Sequence, residues 1–380
     1  MITADRLRNV QEYYFSKKLR EVRGLAEGGR PIINMGIGSP DLAPPPQVLD
    51  ALRDSLGDPS AHQYQSYQGL PELRKAFADF YLSKFGVRVD PNSELLPLMG
   101  SKEGIMHISM AFLNPGDQVL LPNPGYPTYS SVSQLVGAEP ICYDLDPQRG
   151  WFPDLEELSK RDLSKVKLMW VSYPHMPTGA TADEAQLGAL VDFARSRDIL
   201  LVNDNPYSFV LGKDPKSLLG IEGAKDCCLE LNSLSKTFNM AGWRVGMVLG
   251  SAQHINAILQ VKSNMDSGMF YGIQKGATVA LKSGPEWFEA LDRVYGRRRE
   301  LMFQLADALG CGYDPNAVGM FLWAKLPEGA LDSEGFVDKL LYERDIFVAP
   351  GTIFGSKGAG YIRFSLCVKE EKIAEAIKRF

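Results

Sequence analysis

The sequence predicts an α/β protein, a three-layer sandwich around a mostly parallel sheet, joined to a smaller α+β domain. Two patterns carry this. Short apolar runs near residues 118–121, 138–142, 167–173, 199–204, 227–231 and 245–250 recur with helical or turn segments between them, the rhythm of strand–helix–strand units. After about residue 280 the rhythm changes to a long charged helical stretch, WFEALDRVYGRRRELMFQLADAL, and then to shorter strand-like runs, MFLWAKL and YIRFSLC. We expect residues 46–280 to form the large domain, and residues 1–45 with 281–380 to form the small one.

The elements follow in order. MGSKEGI at 99–105 opens an apolar helical pattern running to about Leu113, and QVLL then reads as a strand closed by the loop LPNPGYPTY. DEAQLGALVDFARSRD at 183–198 reads as a helix between two strands. In ILLVNDNPY, residues 199–207, the leucine-rich and β-branched run is that of a parallel strand buried on both faces. No repeat or low-complexity linker interrupts the chain, so the Pro and Gly clusters at 40–46 and 122–127 read as site loops.

Composition bounds the function. The 380 residues are 45% hydrophobic and 23% charged with a net charge of −5, near globular averages and without a basic stripe. Nucleic acid and anionic membrane are therefore excluded as expected partners. Cys142, Cys227, Cys228, Cys311 and Cys367 lack metal-ligand spacing; we expect them to be reduced and buried, and we expect no metal. The opening MITADRLRNVQEYY has no apolar signal core and no run approaches a membrane span, so a cytoplasmic location is expected.

The chemistry concentrates in SLSKTFNMAGWRVG, residues 233–246. Lys236 stands there between small hydroxyl residues and ahead of an arginine. A desolvated lysine amine condenses with aldehydes, and pyridoxal 5′-phosphate is an aldehyde whose phosphate Ser233, Ser235 and Arg244 would hold. Ser-x-x-Lys alone also fits a solvated loop lysine or an acyl-transfer nucleophile. Asp204 ends a buried strand, where open α/β sheets place ligands, with Tyr207 three residues on. A carboxylate there keeps a pyridine nitrogen protonated; a turn begun by Asp204 with Asn205 and Pro206 is the alternative. Gly100 and Ser101 open a helix whose free N–H groups suit a phosphate, although an N-cap by Ser101 explains the same letters. Tyr126 offers a ring for stacking, or ordinary loop packing.

In this order and at these separations the motifs resemble the class I/II aminotransferases of pyridoxal-phosphate fold type I, from about Asn34 to Phe364. The resemblance implies that Lys236 forms the Schiff base and shuttles the proton, Asp204 binds the pyridine nitrogen, Tyr207 binds the ring hydroxyl and Tyr126 stacks on the ring. Gly100, Ser101, Lys102, Ser233, Ser235 and Arg244 align with the phosphate-binding stretches, Lys102 through its backbone. Tyr64, in YQSYQGLPELR, matches a tyrosine that reaches the phosphate of a second subunit, which implies a homodimer with shared sites. Gly38 and Arg363 match the groups that hold the substrate α-carboxylate; a surface salt bridge is the other reading of Arg363.

One position departs from the family pattern: Met176 stands in WVSYPHMPTGA where the family has an asparagine that donates to the ring oxygen. A thioether cannot donate. His175 beside it is assigned no role. The resemblance implies transfer of an amino group from an L-amino acid to a 2-oxo acid, by default 2-oxoglutarate. Aspartate-specific members of the family add an arginine from the partner subunit for the distal carboxylate. NMDSGMFYGIQ, residues 264–274, has no counterpart, with Phe270 and Tyr271 standing instead, a pair that helical packing explains equally well, and a neutral or mixed donor such as alanine, methionine or an aromatic amino acid is favoured. Carbon–sulfur β-lyases share the same lysine, aspartate and arginine and remain an alternative. An effector-binding module of a transcription regulator is the less favoured one, because such proteins carry a basic domain ahead of the fold.

Overall fold

The computed structural model describes residues 3–8, 14–330 and 332–380; part of the opening MITADRLRNVQEYY lies outside the described residues. The central sheet has eight strands: β1 (Leu95–Leu98), β2 (Gln118–Asn123), β3 (Glu139–Asp146), β4 (Phe152–Pro153), β5 (Val166–Val171), β6 (Leu200–Asp204), β7 (Cys228–Ser233) and β8 (Gly246–Gly250). Their order is β1-β8-β7-β6-β5-β2-β3-β4. The run from β7 through β6, β5 and β2 to β3 is parallel, while β8, β1 and β4 join antiparallel.

Each of the six runs read as strands is a strand, and β1 and β4 were not among them. Pro97 interrupts β1, whose pattern therefore reads as a loop, and the sheet accommodates it because β1 is an edge strand. Alternation along the central strands fills two separate cores. Leu200 and Val202 of β6 pack on one face with Ile105 and Ile108 of the helix Ser101–Phe112, Val132, and Ile255. Leu201 packs on the other face with Phe77, Leu187, Leu190 and Ala277. Helices on both faces of a buried parallel sheet make the three layers.

The helix read at 183–198 spans Glu184–Arg195 and starts with a capping box between Asp183 and Gln186. The long charged helix is Pro285–Ala308. Beyond it a four-stranded antiparallel sheet contains Phe321–Lys325 and Tyr361–Ser365, and Ile33–Asn34 pairs with Ile346–Phe347. Phe321, Leu322, Ile362, Phe364, Val337 and Leu341 join Ile33 and Met35 in a third core. All five cysteines are unpaired; Cys228, Cys311 and Cys367 are buried, Cys227 is partly covered, and Cys142 is exposed. The expectation of burial fails at Cys142 because β3 lies near the sheet edge, where alternate side chains face water.

The helix Ser101–Phe112 sits close against β1 and β7 because Gly104 lacks a side chain. A Cβ at Gly104 would lie 2.6 Å from Leu231 Cδ2 and 2.7 Å from Leu98 Cδ1. Gly104→Ala is therefore expected to cost about 1–3 kcal/mol of stability, read from the urea midpoint, and to weaken cofactor binding by displacing the helix start. An unchanged midpoint would show that the two leucines repack freely.

Candidate active site

A cavity of about 690 Å³ opens at the carboxyl ends of the parallel strands. Of the residues to which the sequence assigns a catalytic, cofactor or substrate role, all line it except Gly100 and Tyr64, and Phe270 and Tyr271 do not line it either. Lys236 lies in the short helix Leu234–Thr237, directly after β7. Its Nζ donates to Gly38 O at 2.6 Å. Burial pushes its pKa below the usual lysine range; Cys367 opposes that shift, while Arg363 and Arg244 add to it. This removes the reading of Lys236 as a solvated loop residue.

Asp204 ends β6 with its carboxylate fully inside. Oδ2 accepts the Tyr129 hydroxyl at 2.9 Å, whereas Oδ1 is buried with no hydrogen-bond partner among the described residues. Burial raises the carboxyl pKa to about 6, against the lowering effect of the Tyr129 hydrogen bond. Tyr129 was not anticipated. Its spacing from Tyr126 is the signal, since Tyr126 caps the helix Pro127–Leu135 and a residue three positions later lies on the same face. The two rings meet edge to face at 5.4 Å, and Tyr129 stacks on Trp170 at 4.8 Å. Ser172, also missed, donates from Oγ to Asp204 O at 2.9 Å.

At one end of the cavity the helix Ser101–Phe112 presents its N-terminus. Gly100, not Ser101, is the N-cap, and no side chain caps the helix, so its first-turn N–H groups are left for another acceptor. Gly100 has φ 91° and a Cβ there would strike the Arg244 guanidinium. Gly246 is equally constrained: a Cβ would lie 2.7 Å from Ser101 N. Arg244 itself adopts φ 57° and donates from Nη1 to Ala241 O at 3.0 Å. Ser233 Oγ accepts Ser235 N–H at 3.1 Å, and the two hydroxyl oxygens lie 2.8 Å apart. Lys102 lines the same end, its pKa lowered by burial and by Arg244.

At the other end Arg363 lies in the strand Tyr361–Ser365, opposite Trp323. It is 5% exposed, which removes the surface salt-bridge reading. Its guanidinium carbon sits 3.9 Å from the Phe321 ring centroid and 4.7 Å from that of Phe354. In the plane, Nη2 donates to Gly36 O at 2.9 Å and Nη1 reaches Met176 Sδ at 3.4 Å. Phe321 is why position 38 is glycine, because a Cβ there would enter the ring. The loop carrying Gly38 is anchored by Asp41, which accepts Arg298 Nη1 and Nη2 at 2.7 and 2.8 Å. His175 is buried, its Nδ1 2.8 Å from Thr178 Oγ1, and does not line the cavity. Tyr64 is 89% exposed, away from the cavity of its own chain.

A second group of potential ligands, Glu103, His107 and Asp266, lies together. Lys262, itself 1% exposed, pairs with Asp266 at 2.9 Å, so the cluster already contains a cation.

Asp204 has a pH signature. Its folded pKa is raised, so the folded protein holds this proton longer than the unfolded chain, and the contribution of Asp204 to stability falls as pH rises from about 4 to about 6. In cofactor-free protein the stability difference between wild type and Asp204→Asn should therefore move in favour of the variant across that window. A difference independent of pH would show that Asp204 ionises normally.

Comparison with known proteins agrees with the geometry. Residues 30–380 match the sequence family "Aminotransferase class I and II". The LL-diaminopimelate aminotransferase of Dehalococcoides mccartyi is 40% identical, over 100% of this chain and 98% of that protein. That of Aquifex aeolicus is 38% identical, over 99% and 97%. Among solved structures, apo-BacF of Bacillus subtilis superposes with a TM-score of 0.96 at 37% identity, covering 100% of this chain and 97% of that one. A probable N-succinyldiaminopimelate aminotransferase of Thermus thermophilus gives 0.88 at 34%, over 96% and 98%. The chain thus belongs to the class I and II aminotransferases, enzymes that move amino groups with pyridoxal phosphate.

Proposed function

We propose that this cavity holds pyridoxal phosphate on Lys236 and moves the α-amino group of an L-amino acid to a 2-oxo acid, with 2-oxoglutarate as the expected acceptor. The observation that carries the reading is the unpartnered Oδ1 of Asp204, buried in the same cavity as the desolvated amine of Lys236. A protonated pyridine nitrogen satisfies that oxygen, so the residues fit the cofactor. When bound, pyridoxal phosphate supplies the electron sink that stabilises charge on the substrate α-carbon.

The chain's own groups supply the rest. The N–H groups at Gly100, Ser101 and Lys102, with Ser233, Ser235 and Arg244, hold the phosphate. Tyr126 covers the ring and Tyr207 serves its hydroxyl. Lys236 Nζ takes the α-proton and returns it. Arg363 and Gly38 hold the α-carboxylate, which fixes the α-carbon relative to Lys236.

The assembly we propose is a homodimer. Tyr64, Tyr67, Met265 and Phe270 are all exposed, and their segments touch, since a Cβ on Gly268 would strike Gln65 O. Such a patch suits a second copy. The division at 46–280 against 1–45 with 281–380 is supported by the pairing of Ile33 with Ile346 and by the separate third core. Among the described residues no helix is long and apolar enough to cross a membrane; a cytoplasmic location is proposed with the function.

The direct test is borohydride reduction of protein loaded with pyridoxal phosphate, which should fix the label on Lys236. Label on another lysine would end the reading. Amino transfer that requires a 2-oxo acid, without release of pyruvate and ammonia from a single amino acid, separates it from β-lyase chemistry. Arg363→Lys keeps the charge but loses the fork. It should weaken donor and acceptor alike by about 1.5–3 kcal/mol, with cofactor affinity unchanged; equal kinetics would make Arg363 structural. Tyr64→Phe should weaken cofactor affinity if a partner's Tyr64 reaches the phosphate, and an active monomer in sedimentation would contradict the shared site.

A further inference from the structure

The walls of the cavity also bear on the substrate. Among the described residues, the charged side chains lining it are Lys102, Asp204, Lys236, Arg244 and Arg363. In the reading above Asp204, Lys236, Arg244 and Arg363 each have a task at the cofactor or at the α-carboxylate, and the Lys102 ammonium, of which only the backbone is used there, lies beside Arg244 at the phosphate end. The wall also includes Leu19, Ile37, Met176, Phe321 and Phe354, with the hydroxyls of Ser16, Tyr126 and Tyr207 among its uncharged polar groups.

Arg363 cannot serve two carboxylates at once. Phe321 and Phe354 pack on its guanidinium, so it offers only its in-plane fork, which fits a single carboxylate. Arg20 reaches Ser16 Oγ at 3.2 Å but is exposed and does not line the cavity. A distal ammonium or carboxylate would therefore lose water without gaining a counter-charge from the described residues of this subunit. Apolar surface, in contrast, is waiting to be covered: Ile37 is 39% exposed although it borders the cavity, and burying it against a substrate is favourable.

We propose that the donor carries an uncharged, apolar side chain, aliphatic or aromatic, which packs on Leu19 and Ile37, and that donors with a second charged end are poor substrates. The inference rests on the transaminase reading and narrows it. It separates this chain from the LL-diaminopimelate aminotransferases it is similar to, whose named substrate has a charged group at each end. Both half-reactions use one pocket, so the ranking extends to the acceptor and replaces the default expectation of 2-oxoglutarate: a 2-oxo acid with an apolar side chain should outrank it.

The test uses the holoenzyme. Phenylalanine, leucine, methionine, glutamate, aspartate and LL-diaminopimelate are compared by kcat/KM, each with pyruvate, phenylpyruvate and 2-oxoglutarate. In parallel, calorimetry measures the unreactive carboxylates 3-phenylpropionate and glutarate. The apolar donors should lead by roughly 100-fold, and 3-phenylpropionate should bind more tightly than glutarate. Ile37→Arg should reverse the order of binding, since an arginine there supplies the missing charge. If LL-diaminopimelate or glutamate is the best donor and glutarate binds more tightly, the inference fails while the transaminase reading stands. If no donor transfers its amino group to any acceptor, the transaminase reading fails, and glutarate binding at least as tightly as 3-phenylpropionate would then overturn the pocket's preference as well.

Discussion

The site depends on one constraint of topology, the common direction of the parallel strands. Asp204 and Ser233 are the last residues of β6 and β7, Ser172 directly follows β5, and Tyr126 stands three residues beyond β2. Parallel pairing brings these carboxyl ends to one side of the sheet, where backbone and side chains point past the covering helices. A cavity there has walls from strands that are buried on both faces. Its groups therefore inherit the rigidity of the core, and a desolvated carboxylate such as Asp204 stays in place without a second partner for its free oxygen.

That rigidity has an electrostatic consequence. Among the described residues Lys102, Lys236, Arg244 and Arg363 line the cavity with a single carboxylate, Asp204, in a mostly apolar enclosure. The excess of cations suits ligands with a phosphate or a carboxylate, and low solvation strengthens each interaction. The same enclosure depresses the pKa of Lys236 and raises that of Asp204, so both groups lean towards their neutral forms until opposite charge arrives. Gly100 and Gly246 carry the steric side of the arrangement, because only without Cβ atoms can Arg244 and the helix start approach so closely.

Much of this was legible in the sequence, and for a physical reason. Asp204 lies at a strand end, Arg363 inside a strand and Lys236 in the short helix that directly follows one, where local pattern fixes their position. The edge strand Leu95–Leu98 was not legible because Pro97 breaks the pattern that identifies strands. Phe321 was missed for a different reason: its contact with Arg363 depends on the antiparallel register of Phe321–Lys325 against Tyr361–Ser365, a long-range fact absent from either segment. Ser16 and Leu19 belong to the same class, since a helix near the start of the chain reaches the cavity only through tertiary packing.

Met176 shows how the two ends of the site are linked. From sequence its importance lay at the cofactor ring, where an amide donor is missing. The structure adds a second neighbour, because its sulfur is 3.4 Å from Arg363 Nη1. A thioether is a weak acceptor, so a carboxylate that displaces it from the arginine gives up little, whereas an amide oxygen at the same place would compete more strongly for that donor. In the proposed reading, the residue that withholds a hydrogen bond from the cofactor ring thus also leaves Nη1 of Arg363 more readily available to a carboxylate. Position 176 cannot be changed for one of these effects without changing the other.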